Sequence, residues 1–315
     1  MSAQTVLFDA PGPKARRRYA IATVLGILLV ALVFAGVLWR FGQAGQLKAS
    51  LWTSLFEPVI WTSYLIPGLI KTVQAAGLSI ILAIAFGLVF GMGRLSHLAP
   101  LRWFCGVVVE FFRAVPVLLM MIFTFFVYAR NNIFGVDYNA FWAVVTGLTF
   151  YNGSVIAELV RSGVHQLPKG QGEAGLSIGL TQSQTLRSIQ LPQALTAMLP
   201  ALVSQLVVVL KDSALGTAIT YPELLAQAKR IGSAYSNPIQ AYILAALIFI
   251  LINYFLTFLA GRAEQRINRR GRTAGATTTA EPTMVQGVTA PGEFTTNVIE
   301  RVENAAEGRE RRRKK

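Results

Sequence analysis

The sequence predicts an all-α membrane protein, with a five-helix core preceded by one N-terminal transmembrane helix. Three observations carry that expectation. Of 315 residues, 53% are hydrophobic and 14% charged, whereas soluble domains are about a quarter charged. Six apolar runs are long enough to cross hydrocarbon as helices, at 19–39, 67–93, 104–129, 139–161, 198–220 and 238–260. These runs lack the alternation of barrel strands, and only helices or closed barrels satisfy the backbone in lipid.

The first run follows Arg16, Arg17 and Arg18 and extends from Tyr19 to Trp39. It is longer than the core of a secretory signal and no convincing small-x-small cleavage site follows, so a retained anchor behind a cytoplasmic tail at 1–18 is expected. Gly42 to Ile66 forms an outer loop, with Trp52, Trp61 and Tyr64 suited to the lipid–water interface. Pro58 and Pro67 break helical continuity there.

Lys and Arg set the orientation. Arg94, Arg102, Arg161, Lys169, Arg187, Arg262, Arg266, Arg269 and Arg270 fall on one side if the spans alternate. The other side has fewer: Lys48, Lys71, Arg130, Lys229 and Arg230. Both termini are therefore expected in the cytoplasm. Residues 271–315 turn to Gly, Thr, Ala and Glu and close on RERRRKK. They have too little apolar area to fold, and a disordered basic tail is expected. The net charge of +14 sits beside apolar runs and in that tail, which favours a membrane surface over nucleic acid. Cys105 is the single cysteine, and His97 and His165 do not cluster with Cys, Asp or Glu at ligand spacing. No metal site is expected.

The polar loop at 163–197 separates spans four and five. Pro168 and Gly170 start a helix, with Glu173 in its first turn, where an acid suits the positive helix end. Ala174 and Gly175 permit close approach of another surface, and Gly179 supplies a turn. Thr181 to Gln184 has the T-x-x-Q form of a capping box that opens a second short helix. Leu186 and Ile189 share one face of it, and Pro192 marks the entry to the next segment. Two readings fit this bihelical elbow: docking into a groove on a soluble partner, or an amphipathic loop resting on the headgroups.

GQGEAGLSIGL followed by QLPQAL resembles the EAA loop of the permease subunits of ABC importers. The wider run from Phe150 to Ile219, EFFRAVPVLL at 110–119 and the helix at 68–96 resemble the polar-amino-acid branch of that family, and the likeness covers about 65–260. The opening LFDAPGPKARRR resembles actinobacterial glutamate-type permeases. Three positions depart from the family pattern: Gly175 replaces a second alanine, Ser154-Val155 replaces Ala-Tyr, and KDSAL replaces K-D-T-S-L. The resemblance implies the type I ABC-importer transmembrane fold over 65–262, after the anchor helix. It implies a coupling loop in which Gly170, Glu173, Ala174, Gly175, Gly179 and Leu180 meet an ATPase. It also implies a second permease subunit, two ATP-binding cassette subunits and an extracytoplasmic solute-binding protein as partners. The solute it implies is a polar amino acid, glutamate or glutamine first.

Ionisable residues within spans are functional candidates by default. Lys211 and Asp212 lie about 20 Å along span five, counting 1.5 Å per residue from Met198. As neighbours on a helix they point about 100° apart and each needs another partner. They line the translocation path or form an ion pair across a subunit interface; both remain open. Tyr151 and Asn152 are further candidate solute contacts. Glu158 and Arg161 are one helical turn apart and suit structural pairing. Arg113 reaches headgroups or packs against the loop.

The sequence contains no G-x-x-x-x-G-K-S/T phosphate cradle and no nucleophile–base–acid set. The chain itself is therefore expected to bind no cofactor and to hydrolyse nothing, with ATP held by partner subunits. A secondary transporter or channel without ATPases is the alternative. It predicts inverted repeats, and no convincing internal repeat is present. A third reading is a membrane anchor that scaffolds a soluble complex.

Overall fold

The computed structural model describes residues 12–275; of the tails expected at 1–18 and 271–315, residues 1–11 and 276–315 lie outside the described residues. No strand occurs among the described residues. Helix α1 spans Pro13–Gln43, α2 Pro58–Arg94, α3 Ala99–Ala114, α4 Val117–Asn131 and α5 Val136–His165. α6 (Lys169–Ser177) and α7 (182–197) build the polar loop. α8 (Leu199–Asp212) continues as a 3-10 turn over Ser213–Ile219, and α9 (Leu224–Ala234) leads to α10 (Pro238–Gly275). One compact unit runs to Glu264, and the described residues of the next unit, 265–275, are helical.

Among the described residues, five helices are long and apolar enough to span a membrane, and the α3–α4 pair makes a sixth crossing if its two halves are one span. Four boundaries differ from the sequence expectation. The helix of α1 starts at Pro13, so Arg16 to Arg18 extend it. α10 reaches Gly275, so 271–275 are helical rather than tail. The third span is broken, because α3 and α4 meet at 97° around Val115 and Pro116. Pro116 cannot donate a helical hydrogen bond, and its ring pushes Val115 into extended backbone (ψ 125°).

The fourth difference is Pro67, which does not end a helix. The helix runs from Pro58 through Pro67 to Arg94. A π-turn over Trp61–Leu65 lies just ahead of that proline. A second π-turn, Leu186–Gln190, lies at the same offset ahead of Pro192. Lengthening the hydrogen-bond register to i→i+5 makes room for a ring that would clash with the carbonyl four residues back. The expected outer loop is thus partly helical. It is held by Trp52 donating to the Gln46 carbonyl at 3.2 Å and Trp61 to that of Leu55 at 3.0 Å.

The core is built on α2 and α5, the most extensively packed pair. On α2 the buried face is Thr72, Ala76, Ala83, Gly87 and Gly91 with Ser79, small residues recurring about every four positions. In lipid no hydrophobic force drives helices together, so close backbone approach and dispersion must do it. A β-carbon on Gly87 would strike Ile156, one on Gly91 would lie 3.0 Å from Val160, and one on Gly153 2.8 Å from Phe86. By contrast, none of the apolar window of α1 is buried.

After the 3-10 turn the chain docks against the far part of α2. Tyr221 donates its hydroxyl to the Lys71 carbonyl at 2.8 Å, and the Leu224 amide donates to the Thr72 hydroxyl at 3.0 Å. Pro222 lies outside α9; Glu223 is the N-cap, accepting from the Leu225 and Ala226 amides at 2.8 and 2.7 Å. A capping carboxylate satisfies two amides that a helix start leaves unpaired, whereas proline has no amide to cap.

Glu223 is fully buried, and burial pushes its carboxyl up from 4.5 to about 7 despite those two amides. Between pH 4.5 and 7 the folded state holds a proton that the unfolded chain has released. Its stability contribution is therefore complete below 4.5 and lost as pH rises through about 7, by on the order of 3 kcal/mol. The thermal midpoint of the purified protein is expected to fall between pH 5 and 8. Glu223→Gln is expected to flatten that slope; an equally steep slope in the variant would assign it to another group.

Candidate coupling loop and transport path

The loop starts where α5 ends. Pro168 precedes α6 with ψ 133°, and no acid lies in the first turn. Glu173 is the fifth residue of the helix, one position past the first turn in which it is expected, because the helix begins at Lys169 rather than Gly170. Gly179 takes φ +85°, the left-handed conformation that closes a helix without a β-carbon penalty. The Leu180 amide then returns to the Gly175 carbonyl at 3.2 Å, and Leu180 is half-buried. The capping box is formed: the Thr181 amide donates to Gln184 Oε1 at 2.8 Å, and the Gln184 amide to Thr181 Oγ1 at 3.3 Å.

Gly175 welds the two short helices together. A β-carbon there would lie 2.6 Å from Thr185 Cγ2, 2.7 Å from its Oγ1 and 3.1 Å from Ile189 Cδ1. The departure from the family alanine is thus matched by a β-branched residue filling the vacated space. A hydrogen bond from Gln193 Nε2 to Gln171 Oε1 at 2.9 Å adds a polar tie. The opposite face is open: Gly170, Glu173, Ala174, Ser177 and Gly179 are exposed, and so are two apolar side chains, Leu176 at 45% and Ile178 at 75%. The sequence reading passed over these two. Their signal was large apolar residues in an otherwise polar loop.

The candidate path residues separate. Lys211 is exposed and Asp212 half-buried, at the last two positions of α8. No ion pair joins them among the described residues. Asn152 is fully buried. Its Nδ2 donates to the Leu148 carbonyl at 3.0 Å, and its Oδ1 accepts from Gln205 Nε2 at 2.6 Å. That pair cross-links α5 to α8 by side chains 53 positions apart; Gln205 had no signal in the sequence beyond being polar in a span. Tyr151 is half-buried beside it.

Charge gathers at the ends of α2, α3 and α5 nearest the loop. Glu158 pairs with Arg161 at 2.6 Å, as expected, but also with Arg94 at 2.6 Å and Arg113 at 3.7 Å. Glu110 adds contacts to Arg94 at 3.0 Å and Arg113 at 3.3 Å. Arg113 therefore joins this cluster rather than reaching headgroups or the loop.

Residues 83–269 match the family described as "binding-protein-dependent transport system inner membrane component". The chain belongs to this family. The permease is 50% identical over 228 residues to the glutamate transport system permease protein GluD of Corynebacterium glutamicum, covering 72% of this chain and 83% of that one. It is 38% identical over 209 residues to a probable glutamine ABC transporter permease protein, GlnP, of Bacillus subtilis, covering 65% and 94%. Among solved structures, an amino acid ABC transporter with histidines superposes with a TM-score of 0.61 at 27% identity, over 68% of the permease and 98% of that chain. The inward-facing MetNI methionine ABC transporter shares the fold, with a TM-score of 0.57 at 21% identity over 67% and 98%. The permease thus has the type I ABC-importer transmembrane fold and is a multi-pass amino-acid ABC permease, a class that is not itself catalytic and works through ATPase subunits. That membership disfavours the secondary transporter or channel. Its first helix, α1, precedes the matched region.

Proposed function

We propose that the permease forms the translocation path for a polar amino acid, glutamate first, and that the α6–α7 elbow is gripped by a cytosolic ATPase. The observation that carries the coupling reading is the two-faced elbow. Its inner face is locked by Gly175 against Thr185 and Ile189, while Glu173, Ala174, Leu176 and Ile178 stand outward. A rigid element with exposed apolar anchors suits a groove on a soluble partner. Glutamate is favoured by the half-identical relative that carries that name.

In this reading two ATP-binding cassette subunits close on ATP, and their motion shifts the elbow and the helices joined to it. A second, non-identical permease completes the path, and an extracytoplasmic binding protein delivers solute. Both termini lie in the cytoplasm, on the same side as the elbow, as the Lys and Arg bias requires. ATP is held by the cassettes and the permease binds no cofactor. Lys211 and Asp212 offer opposite charges to a zwitterion, Tyr151 is a separate contact on α5, and Asn152 holds the α5–α8 spacing.

A photo-cross-linker at Ala174 is expected to capture the ATPase in native vesicles. Glu173→Lys is expected to lower glutamate uptake per ATP hydrolysed by about tenfold without removing the protein from the membrane. Unchanged uptake in that variant, or no ATPase captured, would remove the elbow from the coupling role.

A further inference from the structure

The coupling elbow faces the connection between α2 and α3 across open space. A crevice of about 470 Å³, lined by Leu95 and His97 on one side and Glu173, Leu176 and Gln190 on the other, separates them. A second space of about 270 Å³ lies between Leu101, Cys105, Ser183 and Arg187. The elbow is linked covalently to α5, whose last residue, His165, is three residues from α6.

α5 and α2 are zipped together by glycines, so they move as one body. α3 is held more lightly. Its buried residues are Cys105 and Val109, and Phe112 stacks on Phe150 at 4.5 Å. Phe112 also meets Phe86 of α2 edge-on at 6.2 Å, and Gly93 of α2 packs directly on Cys105. Beside these apolar contacts the tie is charge. Glu158 on α5 is the hub: its two oxygens meet Arg161, Arg94 and Arg113. Glu110 on α3 closes the ring through Arg94 and Arg113. The Arg94 side chain is 12% exposed and that of Glu158 22%, whereas that of Glu110 is 57% exposed. The strength of the tie therefore sits at Glu158, since buried pairs are screened least.

Three arginines face two glutamates here. Without Glu158 the arginines of three different helices would repel one another, and α3 would lose its charge tie to α5. Immediately beyond Arg113 lies the 97° break into α4. A tilt of α3 at that bend becomes a swing of α4, which packs against α5 farther along, near Gly147 and Met121.

We propose that the Glu158 cluster is the joint that passes elbow motion from α5 to α3 and, across the Val115–Pro116 bend, to α4. Arg94, Glu110, Arg113, Glu158 and Arg161 are positioning residues that touch neither solute nor ATPase. This inference rests on the coupling reading of the elbow.

The test uses the full complex, with its ATPases and binding protein, in liposomes. Uptake per ATP hydrolysed is measured with radiolabelled glutamate for the unaltered permease, Glu158→Gln, Glu110→Gln and Arg113→Lys. Glu158→Gln is expected to lower the ratio about tenfold and Glu110→Gln about threefold, with ATPase rate and solute KM nearly unchanged. Arg113→Lys keeps the charge and is expected to keep the ratio. A ratio within twofold of the unaltered protein in both glutamine variants overturns the joint. So does a parallel loss of ATPase and uptake, which a merely structural cluster would give. If Glu158→Gln fails to reach the membrane, Glu110→Gln decides alone, and an unchanged ratio in it overturns the joint. If the unaltered complex shows no ATP-driven uptake, the coupling reading itself falls and takes the joint with it.

Discussion

Gly175→Ala is expected to uncouple the transporter although alanine is the residue its relatives' pattern prefers. The added β-carbon would lie 2.6 Å from Thr185 Cγ2 and 2.7 Å from Oγ1, closer than such atoms approach. Thr185 is itself buried, so the strain cannot be relieved by turning its side chain into water. Overpacking of this kind costs about 1–3 kcal/mol, enough to part α6 from α7 and leave the outward anchors loose. We expect uptake per ATP to fall on the order of tenfold with membrane levels preserved. The double variant Gly175→Ala/Thr185→Ala removes both clashing atoms and is expected to recover most of the ratio, a non-additivity that only direct contact produces. Failure of the second change to rescue the first would show that Gly175 acts through something other than Thr185.

Lys211→Met is expected to abolish uptake, and Asp212→Asn to impair it strongly. Lys211 is an exposed cation near the end of an apolar helix, α8. A charge there cannot face hydrocarbon without a cost of several kcal/mol, so it meets water in the path, the solute, or a partner subunit. In the solute reading Lys211 pairs with a solute carboxylate in the closed path, and removing one member of such a pair costs about 3–5 kcal/mol, so glutamate uptake should fall at least about 100-fold. The solute reading places this loss in KM with basal ATPase retained. A loss of complex assembly instead, seen on native gels, would assign Lys211 to the subunit interface.

Hydropathy alone located the five long apolar helices found among the described residues, but not the break of the third expected span into α3 and α4, because apolar length is a one-dimensional property and a bend is not. The elbow was legible for a related reason: its capping box, Gly179 turn and Pro192 are local chemistry within a few residues. Gly175 was visible as a departure, but its partner Thr185 was not, since a close approach between two helices has no local signature. Glu158 and Arg161 were legible as a pair one turn apart. Arg94, 64 positions from Glu158 in the chain, was not.

The prolines show the same division. Pro67 and Pro116 carry the same local instruction to interrupt a helix. One is absorbed by a π-turn and the helix continues; the other becomes a bend of 97°. The difference lies in what surrounds them. Gly68 beside Pro67 lies against Gln227 and Leu224 of α9, where a β-carbon would sit 2.7 Å from the glutamine, whereas Val115 before Pro116 takes extended backbone. By itself, the sequence determined where the apolar stretches and the polar elbow lie, both properties of contiguous residues. Only the tertiary structure decided which helix touches which, where a proline bends the chain, and which charges share a hub. Those outcomes depend on close approach between segments far apart in the chain, and a β-carbon too many or one arginine too few changes them.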